Sequence, residues 1–223
     1  MVEIKLNRPR DAATLILYKK IGHNLEILMG CRDNKHAFMP NRYVFPGGAV
    51  DKADRFVKTA NELRTDVWYN LSKSCSRSRA RALAAAAVRE TWEETGLRLA
   101  KKQSLDKPDK IQESWRGFHQ NNYAPAFQSL DFVCRAITPP GRPRRFNARF
   151  FVAPATEIIG KISGNGELSD INWFTIKQAK QLPIPDITKY VLDNLPTWLE
   201  VKGKRQQTPL LKRVGKQFVE MTE

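Results

Sequence analysis

Three glutamates close together in the sequence are the residues best suited to do chemistry. Glu90, Glu93 and Glu94 are spaced at i, i+3 and i+4, so on a helix their side chains share one face, about 5–6 Å apart at Cβ. Like charges at this spacing repel one another, and a hard divalent cation removes the repulsion because it prefers oxygen ligands. The spacing therefore predicts a metal site formed by three carboxylates.

The neighbouring residues indicate which element carries this face. The alanines at 84–87 have high helix propensity, and Gly96 is suited to end a helix in the left-handed conformation. We therefore expect a helix over residues 79–95. Arg89 lies four residues before Glu93, where its guanidinium can hold a carboxylate in one orientation.

These residues resemble the Nudix box, whose pattern is G-x5-E-x7-R-E-U-x-E-E-x-G-U with U apolar. Residues 89–97 match its second half, except that Thr91 stands where the pattern has an apolar residue. The first half would begin at Gly48, but 40 residues separate Gly48 from Arg89 where the pattern has 13. The difference, about 27 residues, is an insertion within the box, which we place at residues 55–78.

The resemblance implies an acidic residue that pairs with Arg89 and holds the glycine loop against the helix. Asp54 follows Gly48 at the position where the pattern has glutamate, and Asp51 is the rival candidate. Because aspartate is shorter by one methylene, the pairing needs a closer approach of the loop. Arg89 has a structural role in this interpretation, orienting Glu93 and Asp54.

The resemblance also implies a fold and a reaction. The expected fold is α/β, a Nudix-type α/β/α sandwich with a mixed β-sheet between helices. The expected enzyme is a metal-binding hydrolase, a pyrophosphatase that cleaves a nucleoside diphosphate linked to another moiety with Mg²⁺ or Mn²⁺. The residues assigned to catalysis are Glu90, Glu93, Glu94 and Arg89, and the three glutamates are the metal ligands. The general base stays open between Glu93 and Glu167, for which a solvated turn residue is the alternative.

Glycines and arginines outside the helix are candidates for substrate binding. Gly47 and Gly48 would let the backbone turn sharply and approach a pyrophosphate. Arg42, Arg144 and Arg145 are candidates because arginine recognises phosphate bidentately, although an exposed basic turn is the simpler alternative. The binding partner implied is a nucleotide-derived small molecule.

The segment from Phe38 to Asp51, together with the insertion, is similar to the acyl-coenzyme-A diphosphatase branch of the superfamily. This similarity favours coenzyme A or acyl-CoA as substrate. ADP-ribose, NADH and dinucleoside polyphosphates stay open, because fold and reaction type do not fix the substrate. Two other functions also stay open: a non-catalytic Nudix module that binds nucleotides or regulates, and an RNA-directed Nudix protein.

The composition favours anionic partners. The 223 residues carry a net charge of +15, which attracts phosphate-bearing molecules. The basic residues do not form one stripe with interleaved aromatics, so nucleic acid is the less favoured partner. No segment is apolar and long enough to span a bilayer, so no membrane association is expected.

The chain length fits one domain, expected over residues 8–200, followed by a loosely held basic C-terminal tail over 201–223. Three widely spaced cysteines suggest thiols in a reducing cytoplasm, so a cytoplasmic location is expected. A homodimer is common in the family. Apolar runs predict strands over residues 12–18, 25–29, 132–137, 146–153 and 170–174, and further helices over 176–182 and 187–199.

Overall fold

The computed structural model describes residues 8–34, 39–103, 111–201, 207–214 and 217–222. Phe38 and part of the C-terminal segment therefore lie outside the described residues. Along the chain the elements are β1 (Arg10–Ile21), β2 (Asn24–Arg32), β3 (Tyr43–Val44), β4 (Gly47–Ala49), α1 (Thr65–Ser72), α2 (Arg77–Thr95), β5 (Arg98–Lys102), α3 (Glu113–Arg116), β6 (Tyr123–Pro125), β7 (Asp131–Ile137), β8 (Phe146–Pro154), β9 (Ile158–Ile159), β10 (Leu168–Thr175), α4 (Ile176–Ala179), α5 (Asp186–Glu200), β11 (Pro209–Val214) and β12 (Gln217–Thr222).

In this part of the chain, nine strands form one mixed sheet around β1. The strand order is β10-β2-β1-β8-β7-β11-β12, with β3 beside β2 and β4 beside β1. β1 is antiparallel to β2 and β4 and parallel to β8. Strands β6, β5 and β9 form a separate small sheet.

Side chains alternate between the two faces along a strand, so β1 has apolar side chains on both faces of the sheet. A helix covers each face. Leu15 and Leu17 of β1 pack in one buried cluster with the alanines of α2. Ile16 packs on the other face with Val191 and Leu195 of α5. The expected α/β/α sandwich with a mixed sheet is confirmed.

Helix α2 begins two residues earlier than expected and ends where expected. The Ser76 side chain accepts a hydrogen bond from the Arg79 N–H at 3.4 Å, which satisfies one of the free donors at the start of the helix. Gly96 ends the helix with φ 75°, the left-handed conformation that glycine tolerates. The alanines at 84–87 are fully buried, so the helix lies close to the sheet.

The residues between β4 and α2 pack against the domain. Val67 and Leu71 of α1 belong to the same buried cluster as α2. Arg81 of α2 donates to the Val57 carbonyl at 2.7 Å and to Glu62 Oε1 at 3.0 Å. Together these contacts anchor both halves of the expected insertion.

The C-terminal segment differs from the loosely held basic tail expected from the sequence. β11 and β12 form an antiparallel hairpin, and β11 pairs with β7 in parallel. Leu210 and Leu211 are buried, so apolar burial and strand pairing hold this segment to the sheet despite its charge. No helix among the described residues is long and apolar enough to cross a membrane.

Candidate active site

The C-terminal half of α2 places two of its three glutamates, Glu90 and Glu94, against the glycine turn of β4. Glu94 is only 2% exposed, and its Oε2 accepts a hydrogen bond from the Gly47 N–H at 2.8 Å. The Glu90 carboxylate lies against Gly48, where an added Cβ would be 2.4 Å from Glu90 Cδ. Gly48 therefore allows a contact that any side chain would block.

Arg89 lies beneath this face and contacts three carboxylates. Its Nε and Nη2 donate to the two oxygens of Asp54 at 2.9 and 3.1 Å. Its Nη1 donates to Glu90 Oε1 at 2.9 Å and to Glu93 Oε2 at 2.8 Å. The bidentate pair with Asp54 joins the β4 loop to the helix, and the Nη1 contacts orient two of the glutamates.

The structure distinguishes between the two candidate partners of Arg89. Asp54 is fully buried in a short 3-10 turn and receives hydrogen bonds from the Asp51 N–H at 2.8 Å and from Trp115 Nε1 at 3.2 Å. Asp51 instead accepts from the Ala53 N–H at 2.7 Å. The 3-10 turn brings Asp54 close enough for the shorter side chain to reach Arg89.

Burial makes the glutamates reluctant to ionise in the absence of a cation. Burial, with Coulombic repulsion from neighbouring carboxylates, raises the pKa of Glu90 to about 7 and that of Glu94 to about 8. Burial also raises the pKa of Glu93. Burial lowers the pKa of Arg89, but its bonds to Asp54 and the glutamates outweigh that effect and raise it overall. A cation near these carboxylates would favour their charged forms.

The donor chemistry suits a hard divalent cation. All three side chains offer carboxylate oxygens, the ligands that Mg²⁺ and Mn²⁺ prefer. Among the described residues, no three acidic, histidine or cysteine groups already converge as a metal-binding cluster. Arg89 holds Glu90 and Glu93, and Gly47 holds Glu94, each through one oxygen. The second oxygen of each carboxylate still has lone pairs for a cation.

A cleft of about 1100 Å³ brings most of the predicted site residues together. Its lining includes Glu90, Glu93, Glu94, Glu167, Gly47, Gly48, Arg42 and Arg144. Glu167 precedes β10, is exposed and raises the pKa of all three helix glutamates through its charge. The predicted base candidates therefore share one cleft.

Arg145 does not line this cleft, although the sequence predicts that it binds substrate together with Arg144. Its Nε donates to the Thr138 carbonyl at 3.1 Å. Successive residues in a strand face opposite ways, and the same holds for the residues just before β8, so Arg145 and its neighbour Arg144 face different ways. Arg145 bridges the ends of β7 and β8 and is removed from the set of cleft residues.

Sequence reasoning missed several residues of the site. Trp115 supports Asp54 from a helix more than fifty positions away, and no local pattern signals that contact. Arg213 lines the cleft and pairs with Asp186 at 2.8 Å. The cleft lining also includes Arg10, which no sequence pattern indicated, and Arg32 and Arg142.

Comparison with known proteins agrees with this geometry. No family model matches the sequence. The chain is 30% identical over 186 residues to a Caenorhabditis elegans protein provisionally named nudix hydrolase 7. This match covers 76% of the chain and 52% of the relative, so the chain spans about half of that protein's length.

Solved structures show the same fold. A NUDIX hydrolase from Alicyclobacillus acidocaldarius superposes with a TM-score of 0.63 and 25% identity over 85% of the chain and 91% of that protein. The NUDIX domain of Shewanella oneidensis NrtR, solved with ADP-ribose, gives a TM-score of 0.51 at 12% identity over 89% and 94%. The chain is thus similar in sequence to one Nudix hydrolase and in fold to others.

Proposed function

We propose that this chain, which has the Nudix fold, is a divalent-metal-dependent pyrophosphohydrolase that cleaves a nucleoside diphosphate linked to another moiety. The observation that carries the proposal is that Glu94 and Glu90 lie against the glycine turn, while Arg89 holds Glu90 and Glu93 and is clamped to Asp54. An exposed acidic face would need neither the buried arginine nor the absence of a side chain at Gly48. The arrangement is therefore a built site.

The three glutamates would hold Mg²⁺ or Mn²⁺ through their second oxygens. When bound, the cation would neutralise phosphate oxygens and lower the pKa of water. Arg89 keeps Glu90 and Glu93 in fixed orientations, so fewer side-chain torsions have to be ordered when substrate enters.

Hydrolysis adds water across the phosphoric anhydride bond. The water oxygen bonds to one phosphorus, the bond from the bridging oxygen to that phosphorus breaks, and a base takes the proton of the water. Glu93 is the candidate base on the helix, and Glu167 is the candidate base from the loop before β10. Both line the cleft, and both are more accessible than Glu94.

The arginines of the cleft would bind the phosphate groups. Arg42 and Arg144 lie in the lining with Gly47 and Gly48, and guanidinium groups suit phosphate oxygens. Coenzyme A and acyl-CoA are our first candidate substrates, supported by the resemblance of the segment before Gly48 and by a cleft large enough for an extended nucleotide. ADP-ribose is the next, since NrtR has the same fold.

A substrate panel tests the proposal directly. Coenzyme A, acyl-CoA, ADP-ribose, NADH and dinucleoside polyphosphates would be incubated with Mg²⁺, with Mn²⁺ or with a chelator, and phosphate would be measured after phosphatase treatment. We expect cation-dependent release from at least one substrate. Nucleotide binding without turnover on any substrate would contradict the proposal and favour a non-catalytic module. Tight, salt-sensitive RNA binding that needs no divalent cation would favour an RNA-directed protein.

A further inference from the structure

Two arginines pair with one carboxylate near the N-terminal end of α2, and a third is linked to it through Asn147. We call Arg79, Arg135 and Arg149, with Asp11 and Asn147, the arginine cluster. Arg79 pairs with both oxygens of Asp11. Arg149 Nη1 donates to Asp11 Oδ1 at 3.3 Å. Arg135 joins through Asn147, whose Oδ1 accepts from Arg135 Nε at 2.7 Å and whose Nδ2 donates to Asp11 at 3.2 Å.

The cluster and the strand residues that line the cleft lie on opposite faces of the sheet. Ala12, Ala136 and Ala148 line the cleft, and they alternate along the strands with Asp11, Arg135, Asn147 and Arg149. Because successive strand residues face opposite ways, the cluster lies on the α2 side. It is consequently separate from the residues proposed to bind substrate.

Positive charge predominates around Arg149. Arg79 and Arg149 share the single carboxylate of Asp11, and among the described groups that act on the Arg149 charge, Arg79 and Arg135 have the same sign as Arg149. Burial, and then repulsion from Arg135, lower the pKa of Arg149 to about 10. The local field is thus positive, and the N-terminal end of α2 adds to it.

Arg149 also has a donor without an acceptor. The residue is fully buried, and its Nε has no hydrogen-bond partner. Its other nitrogens make long bonds, including one of 3.3 Å from Nη2 to Ser74 Oγ. A buried polar group without a partner costs roughly 1–3 kcal/mol, and an anionic oxygen would relieve that cost.

We propose that the arginine cluster is a second, anion-binding site that takes a phosphate group. A tetrahedral oxyanion has enough acceptors to accept from several guanidinium groups at once, which is the geometry that arginine recognises best. Access comes from the solvent side, because the Arg79 side chain is 40% exposed and Asp11 is 20% exposed. The group is either free phosphate or the phosphate of a monoester.

Inorganic phosphate, in metal-free buffer, is the first probe. The melting temperature and the heat of binding would be measured against sodium chloride at equal ionic strength, since ligands that bind the folded state stabilise it. We expect phosphate to stabilise the wild-type protein. We expect Arg79→Gln and Arg135→Gln each to bind phosphate about tenfold more weakly, the effect of one lost charge-assisted hydrogen bond.

Two control variants separate the cluster from general charge effects. Arg77→Gln removes the same charge from the same turn of α2, but Arg77 stacks on Trp68 outside the cluster, so binding should be unchanged. Arg144→Gln removes a cleft arginine proposed to bind phosphate, so it should weaken only binding in the cleft, and the loss caused by Arg79→Gln should be the same size in its presence. Neither Arg79→Gln nor Arg135→Gln should alter turnover, because neither residue lines the cleft.

A phosphate monoester, phenyl phosphate, distinguishes the two sources of the group. Tighter binding of the monoester than of inorganic phosphate would assign the site to an esterified phosphate, and the reverse would assign it to the free ion. Absence of any phosphate-specific stabilisation of the wild-type protein would overturn the proposal. So would equal binding by wild type, Arg79→Gln and Arg135→Gln, or loss of binding in Arg144→Gln alone.

Discussion

Arg89 and Arg149 are both buried on the α2 side of the sheet, but their surroundings are opposite. Arg89 contacts Asp54, Glu90 and Glu93, so negative charge is in excess around it. Arg149 shares Asp11 with Arg79 and is repelled by the charges of Arg79 and Arg135, so positive charge is in excess around it. Burial works against the charged form of both residues, and the carboxylates around Arg89 reverse the outcome.

The local balance of charge around each arginine therefore indicates the sign of its ligand better than the net charge of the chain does. The overall charge of +15 suggests only anionic partners. The excess of carboxylates around Arg89 favours a cation, whereas the excess of guanidinium groups around Arg149 favours an anion. The two proposed sites, of opposite sign, thus lie near the two ends of one helix, α2.

The largest effect should come from neutralising a glutamate beside Arg89. Glu93→Gln and Glu94→Gln should each lower turnover by a factor on the order of 10²–10⁴, because each removes a charge from the proposed cation site. The measurement is kcat for the best substrate of the panel at saturating Mg²⁺.

Glu62→Gln is the matched control for those variants. It removes a carboxylate from an exposed ion pair with Arg81, and we expect turnover close to that of wild type. Near wild-type turnover in both Glu93→Gln and Glu94→Gln would reject the assignment of the cation site.

The second effect compares the two arginines directly. Arg89→Met should lower the free energy of unfolding by about 3–5 kcal/mol, because Asp54 loses its bidentate partner while fully buried. Arg149→Met should change it by less than about 1 kcal/mol in either direction, since Asp11 keeps Arg79 and Asn147 and a buried charge is removed. Denaturant unfolding measures both. Equal losses of unfolding free energy in the two variants would contradict the difference between the two surroundings.

A smaller effect concerns the support behind Arg89. Trp115→Phe keeps most of the buried ring but removes the Nε1–H that donates to Asp54. We expect a loss of about 1–2 kcal/mol in unfolding free energy, with turnover reduced less than in Glu93→Gln. Trp198→Phe, on the opposite face of the sheet, is a control whose turnover should stay unchanged.

A further expected effect is a dependence of stability on pH. Without divalent cations, Glu90 and Glu94 have pKa values of about 7 and 8 in the folded protein, above the usual 4.5. Between these pH values the folded state therefore holds protons that the unfolded chain has released. The contribution of these two groups to stability is greatest below about pH 4.5 and falls as the pH rises to 8. Thermal melting across this range should show the fall, and Glu94→Gln should flatten it. A rise in wild-type stability over the same window would contradict the pKa directions.

Sequence patterns were sufficient for features with local causes. The alanine run and Gly96 predicted α2 to within two residues at its start, and the apolar runs predicted strands that all occur as parts of longer ones. The pairing of Asp54 with Arg89 followed from the resemblance rather than from any local pattern. The structure supplies its distance of 2.9 Å.

Features that depend on distant contacts were out of reach. The arginine cluster joins residues of β1, β7, β8 and α2, and no sequence window contains more than a part of it. The hairpin of β11 and β12 was hidden because its charged residues suggested a solvated tail, whereas its pairing with β7 depends on register. Arg145 was misplaced because adjacent residues in a strand face opposite ways.

The parallel pairing of β1 with β8 has a consequence for how the chain is made. Asp11 and Asn147, which meet across these strands, are 136 residues apart in the sequence. At roughly 5–20 residues per second of synthesis, the apolar β1 strand leaves the ribosome on the order of ten seconds before its partner. During that interval it can pair with β2 but has an open edge, which is prone to association with other chains. Newly made protein should accordingly depend on chaperones more than refolded, full-length protein does.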